Sequence, residues 1–105
     1  MKKRIKDKWI KALVSGKYKQ GKYKLRAYDD QYCCLGVLLE CMGKKPELNK
    51  KECFYIYDKE IYSSLGDRQL QECGLTYEQQ DSLMKMNDEK NRSFKQIAAY
   101  IKRYL

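Results

Sequence analysis

Apolar residues in the first stretch of the chain fall at helical spacing. Ile5, Trp9, Ile10, Leu13 and Val14 recur every three or four positions with lysines between them. This predicts an amphipathic helix over 3–14 that ends at Ser15-Gly16, with Gly16 as a left-handed cap. From Gly21 the period changes to two. Tyr23, Leu25 and Ala27 alternate with Lys22, Lys24, Arg26 and Tyr28, the pattern of a half-buried strand over 22–28 with a basic outer face. Asp29-Asp30 then turns the chain. The run from Tyr32 to Met42 is apolar on nearly every side and is closed by Gly43 and Pro46. Its length favours a buried central helix over 32–42, with a buried strand as the alternative.

Residues 44–51 read as a polar loop. Cys53 to Tyr57 and Ile61-Tyr62 flank Asp58-Lys59-Glu60, and their aromatic and β-branched content predicts a hairpin or two short strands that join 22–28 in a small antiparallel sheet. The last third is helical. Ser63 or Ser64 caps a short helix ending at Gly74. Thr76 and Gln79 form a capping box for a helix ending near Met86. Ser93 and Gln96 form a second box for a helix over 94–104, whose apolar stripe is Phe94, Ile97, Ala98, Ile101 and Leu105. The expected fold is α+β: an N-terminal helix, a short antiparallel sheet, a buried central helix and two or three C-terminal helices. The 105 residues suffice for a single compact domain over 1–105.

Charge adds a functional clue. Residues 1–26 hold eleven Lys or Arg and one acid, whereas the remainder is nearly balanced, within a net charge of +9. Such segregation points to an anionic partner. Within it, Gly16-Lys17-Tyr18-Lys19-Gln20-Gly21-Lys22 matches a phosphate-binding loop except that Tyr23 stands where Ser or Thr belongs. The order of elements is wrong for that loop, because a helix precedes it and a strand pattern follows. What remains is basic and aromatic residues interleaved, with Lys17, Lys19, Lys22, Lys24 and Arg26 for phosphates and Tyr18, Tyr28 and Tyr32 for stacking. Gln20, Asn87 and Asp88 join them as polar groups able to read a base or sugar edge.

Other chemistry finds little support. There is no His, so no Ser-His or Cys-His nucleophile pair. Cys33, Cys34, Cys41, Cys53 and Cys73 are odd in number and lack metal-ligand spacing, so they read as free thiols and no metal or cofactor is expected. A thiol activity at Cys33, at the start of an apolar helix, is the one enzymatic alternative. Asn87-Asp88-Glu89-Lys90-Asn91 begins like a calcium loop but lacks its Gly and bidentate Glu. No apolar run spans a membrane, and the basic N-terminus has no apolar segment after it, which favours a cytosolic protein.

Trp9, Ala12-Leu13, Ser15-Gly16-Lys17-Tyr18 and Gln20-Gly21, then Tyr32-Cys33-Cys34-Leu35-Gly36-Val37-Leu38, then Met86-Asn87-Asp88, Ser93-Phe94, Ile97-Ala98 and Ile101 resemble a largely uncharacterised family of small bacteriophage proteins. Where its members carry a glycine-rich turn before the Cys-Cys block, this chain has the charged stretch Lys22 to Asp30. The resemblance implies phage origin and action in the cytoplasm of the infected bacterial host. It further implies antagonism of host defence, since small phage proteins without catalytic groups often act that way. The first expectation is therefore a non-enzymatic protein that sequesters an anionic nucleotide immune signal of the cyclic oligonucleotide or cyclic ADP-ribose type. A nucleic-acid-binding protein is the second, with the lysines of helix 3–14 along the phosphates. An inhibitor docked on a host effector, such as an anti-CRISPR, is the third. A closed pocket in so small a domain calls for a second protomer, which makes a homo-oligomer an expectation of the first reading.

Overall fold

In the computed structural model, which describes residues 1–105, helix α1 occupies Lys3–Val14 as its spacing predicts. Its inner edge buries Trp9 and Leu13, and Gly16 just beyond it takes φ +78°. β1 (Lys19–Gln20) pairs in parallel with β2 (Gln31–Tyr32), Lys19 opposite Gln31 and Gln20 opposite Tyr32. α2 (Cys34–Cys41) follows directly. β3 (Glu47–Asn49) and β4 (Phe54–Ile56) form the antiparallel sheet, with Leu48 opposite Tyr55. Three helices complete the chain: α3 (Asp67–Cys73), α4 (Tyr77–Asp88) and α5 (Phe94–Tyr104). The class is α+β, as expected.

α2 is the buried centre, with every side chain from Cys34 to Leu39 inaccessible. α1 crosses it and also packs along α5, and α4 closes another side. Twenty buried apolar side chains from Trp9 to Ile101 make one continuous core. The Trp9 indole Nε1–H enters that core and donates to the Cys34 carbonyl at 2.9 Å, so its polar edge is satisfied. Gly36 is required by a close approach. A Cβ there would lie 1.7 Å from the Leu25 carbonyl oxygen, so only glycine lets α2 lie on the 25 backbone.

The expected strand over 22–28 does not form. Tyr23 adopts φ +69°, held by its amide donating to Asp88 Oδ1 at 3.1 Å, and this left-handed residue breaks the two-residue period. Its ring is exposed rather than core-facing. Leu25 is buried as predicted. Only the end of the segment runs beside the sheet, where Ala27 bridges Phe54 and the Tyr55 amide donates to the Arg26 carbonyl at 2.9 Å.

Smaller differences have local causes. The central element is a helix, but Tyr32 is spent in β2 and an extended Cys33 caps it, so it begins at Cys34. The polar loop 44–51 contains β3, because Asn49 Oδ1 accepts from the Lys51 and Glu52 amides, each at 3.1 Å, and tightens the turn into β4. The Tyr57–Ile61 hairpin shrinks to one bridge around Asp58 and Lys59, both at positive φ. α3 ends at Gly74 as expected, but starts from Gly66 rather than Ser63 or Ser64, where Gln69 Oε1 accepts from the Gly66 amide at 2.9 Å. Both capping boxes form, at Thr76 and Ser93, and α4 runs to Asp88 rather than Met86. No helix is long and apolar enough to cross a membrane.

Candidate anion-binding face

Several of the expected site residues meet, but as scaffold. Asn87 sits near the end of α4 and is buried. Its Oδ1 accepts from the Cys34 amide at 3.3 Å and from Gln20 Nε2 at 2.9 Å. Its Nδ2 donates to the Gly21 carbonyl and to Asp88 Oδ1, both at 2.8 Å. All four hydrogen-bonding positions of that amide are thus filled. Gln20 also donates to the Arg92 carbonyl at 2.8 Å and accepts from the Phe94 amide at 3.1 Å. Asp88 Oδ1 is committed to Tyr23 and Asn87. The polar atoms of Gln20 and Asn87, with Asp88 Oδ1, thus tie the 19–23 turn to α2 and to the start of α5.

Arg26 and Tyr32 are committed as well. The Arg26 guanidinium lies 2.7 Å from Asp30 and over the Tyr55 and Tyr32 rings at 4.1 and 5.2 Å. Burial works against its charge, and the Asp30 hydrogen bond with the surrounding groups outweighs it, so its pKa is raised. Tyr32 is buried edge-on to Tyr18 at 5.0 Å, which removes it as a stacking surface, and burial pushes its hydroxyl up to about 12. Lys24 rests over Phe54 and Tyr62, at 4.8 and 5.0 Å, and those two rings stack on each other. Lys17 lies 5.4 Å from the Tyr18 ring centre. Lys19, Lys22 and Tyr28 remain exposed, and Lys22 Nζ donates to Asn91 Oδ1.

The thiol singled out by its place before the central helix, Cys33, is not open to solvent. Cys33 and Cys34 are buried, and burial pushes Cys33 up to about 12 and Cys34 upward too. No helix follows directly on Gly21-Lys22, unlike in a true phosphate loop; the next element is β2, and α2 begins only at Cys34.

The unpaired cations fall in two stretches that the fold brings together, and the sequence pattern showed only the first. Every ion pair lies between Arg26 and Lys85. None of the ten cations before Arg26 meets a carboxylate. α1 and α5 pack antiparallel, with Lys6 Nζ donating to the Lys102 carbonyl near the far end of α5. That pairing brings a second basic stretch beside the first. Residues 90–105 carry Lys90, Arg92, Lys95, Lys102 and Arg103 and no acid, while 27–89 hold thirteen acids against seven cations. These five were readable as a run without acids, yet only the α1–α5 packing joins them to the N-terminal lysines.

Two open hollows lie at the α4–α5 connection and share Arg92. One, of about 220 Å³, is lined only by Gln20, Gly21, Lys22, Asn87, Asn91 and Arg92. The other, of about 450 Å³, is lined by Met86, Lys90, Arg92, Gln96, Ala99 and Tyr100. No carboxylate lines either one.

Residues 1–76 match the family model described as a domain of unknown function, DUF8296. The chain belongs to the DUF8296 family. No curated protein and no solved structure matches it. The matched stretch covers α1 through α3, so in this DUF8296 chain the polar network spans both sides of the match: Gln20, Gly21 and Cys34 lie within it, and Asn87, Asp88 and Arg92 beyond it.

Proposed function

We propose that this DUF8296 chain is a non-enzymatic nucleic-acid-binding protein that engages the phosphate backbone with the basic face of α1, the 17–24 turn and α5. The observation that carries this reading is the separation of charge. Fifteen cations lie in residues 1–25 and 90–105 with no carboxylate within ion-pair distance, on elements packed side by side. Unpaired cations spread over two helices, the 17–24 turn and the α4–α5 connection suit an extended polyanion, which each of them neutralises with release of counterions. The setting we propose follows the resemblance to small phage proteins: the cytoplasm of an infected bacterium, where such binding antagonises host defence.

Sequestration of a small anionic nucleotide signal is the second reading. It is favoured by the all-polar hollow, where Lys22 and Arg92 flank a volume of about 220 Å³. That hollow is open, whereas tight capture of a small ligand calls for burial of most of its surface, which supports backbone binding over sequestration.

The deciding measurement is binding of labelled oligonucleotides by fluorescence anisotropy, with thermal unfolding in the presence of cyclic dinucleotides and cyclic ADP-ribose isomers. Backbone binding gives an affinity that falls by roughly a thousandfold or more between about 50 and about 200 mM salt. A melting shift with one small ligand at one-to-one stoichiometry, without oligonucleotide binding, replaces it with sequestration. No response to either removes both.

A further inference from the structure

We infer that the α4–α5 corner is a single-strand site, in which a phosphate occupies the polar hollow at Lys22 and Arg92 and the adjoining bases stack on Tyr100 and Tyr104. This rests on the nucleic-acid reading above and narrows it to one kind of strand. Three observations carry it.

The first is the pairing of the two hollows. They share Arg92, one is wholly polar and the other has Met86, Ala99 and Tyr100 in its wall. A nucleotide has that same division, a charged phosphate beside a flat apolar ring. In the polar hollow the Gln20 and Asn87 side chains are fully committed to the scaffold. The side-chain donors left for an anion are the Arg92 guanidinium, which has no carboxylate partner, the two remaining N–H bonds of the Lys22 ammonium and the Asn91 amide nitrogen, whose oxygen takes Lys22.

The second is the aromatic line along α5. Gln96, Tyr100 and Tyr104 follow one another at four-residue spacing, so they share one edge of the helix over about 12 Å. The Tyr100 and Tyr104 ring centres are 4.9 Å apart. Tyr104 is 61 % exposed, and the Arg103 guanidinium lies 5.5 Å from its ring centre. Aromatic faces interleaved with cations are what an unpaired strand uses, since every base has a face to stack. A duplex keeps its bases stacked on one another and offers them no such contact.

The third is that no carboxylate lines either hollow: the nearest, Asp88, is held behind Asn87 and the Tyr23 amide through its Oδ1, and Glu89 lines neither.

The test compares a labelled single-stranded oligonucleotide with its blunt duplex at equal salt. The single strand is expected to bind the tighter. Tyr104→Ala, at an exposed position, is expected to weaken single-strand binding roughly fivefold or more and to leave the duplex unchanged, with Tyr104→Phe restoring it. Tyr100→Leu, which keeps the apolar bulk against the core, is expected to do the same. Arg92→Ala weakens the single strand more than the exposed Lys3→Ala on α1. Duplex binding as tight as single-strand binding, or full single-strand affinity in the tyrosine variants, overturns the site while leaving salt-dependent backbone binding in place. Displacement of the strand by a stoichiometric cyclic dinucleotide overturns it in favour of sequestration. Failure of both oligonucleotides to bind removes the nucleic-acid reading as well.

Discussion

The side-chain oxygen of Asn87 accepts the backbone amide of Cys34 at 3.3 Å, across 53 positions of chain. Cys34 is the first residue of α2, where an amide has no partner within its own helix. The same oxygen takes Gln20, and the nitrogen of the same amide takes the Gly21 carbonyl and Asp88. One buried amide from α4 therefore caps the central helix and fixes the basic turn. Gln20 in turn accepts the Phe94 amide at the start of α5, so the two basic stretches are registered against each other through Asn87 and Gln20.

Replacing Asn87 with Leu keeps the bulk and leaves the Cys34 amide, the Gly21 carbonyl and Gln20 without their partner. A buried unsatisfied group costs about 1–3 kcal/mol, and this substitution orphans more than one, so a loss of about 3 kcal/mol is expected. Asn87→Asp keeps the acceptor but loses both donors and sets a second carboxylate against Asp88, so it is destabilising too. Urea unfolding read by Trp9, the only tryptophan and fully buried, measures both. A loss below about 1 kcal/mol for Asn87→Leu contradicts the network.

Gly36→Ala tests the packing of α2. The new methyl group would sit 1.7 Å from the Leu25 carbonyl oxygen, which is backbone and has no rotamer to yield. Alanine normally favours a helix by about 1 kcal/mol over glycine, so the local propensity points the other way. The steric term wins, and a destabilisation of about 3 kcal/mol or more is expected in the same urea assay. An unchanged or raised urea midpoint would refute the close approach.

Gly36 also marks where sequence patterning stops being informative. Helices α1, α4 and α5 were legible because their apolar stripes and capping boxes are local, with Thr76–Gln79 and Ser93–Gln96 forming as expected. The 22–28 strand misled because its alternation is real in sequence. Tyr23 is turned into the left-handed region by a carboxylate 65 positions away, which no local pattern carries. Part of the candidate site was hidden in the same way. Gln20, Arg26, Tyr32 and Asn87 are polar or aromatic residues of the right kind, and only three-dimensional contacts reveal that their groups are already satisfied. Conversely, Arg92 and Tyr100 lie outside the N-terminal basic tract and join it through the α1–α5 packing.

Alkaline pH should unfold the protein earlier than its ion pairs alone suggest. The Cys33 thiol rises from 9.0 to about 12 on burial, and the Tyr32 hydroxyl from 10.0 to about 12. Both pKa values are higher in the folded state, so the unfolded chain releases protons first as pH rises. Their contribution to stability is complete below about pH 9 and is lost progressively toward about pH 12. Under reducing conditions, the urea midpoint is expected to fall across that window, and Cys33→Ala to show a shallower fall despite a lower midpoint at neutral pH. A midpoint independent of pH up to about pH 11 would contradict buried, protonated groups at these positions.

Arg26 and the α1 lysines make opposite predictions for binding. Lys8 and Lys11 are exposed on α1 without a carboxylate partner, so each is free to neutralise a phosphate. The double substitution Lys8→Ala, Lys11→Ala is expected to weaken oligonucleotide binding regardless of sequence and to lower the slope of log affinity against log salt by about 2. Arg26 belongs to the same basic tract by sequence, but its guanidinium is held by Asp30 at 2.7 Å and covered by the Tyr55 ring. Arg26→Ala should leave that slope unchanged and instead lower the urea midpoint, because it removes an ion pair and a ring contact beside the sheet. Anisotropy titrations at several salt concentrations separate the two. A reduced slope for Arg26→Ala, or an unaltered one for the lysine pair, would move the binding surface away from α1 and back to the 22–28 segment.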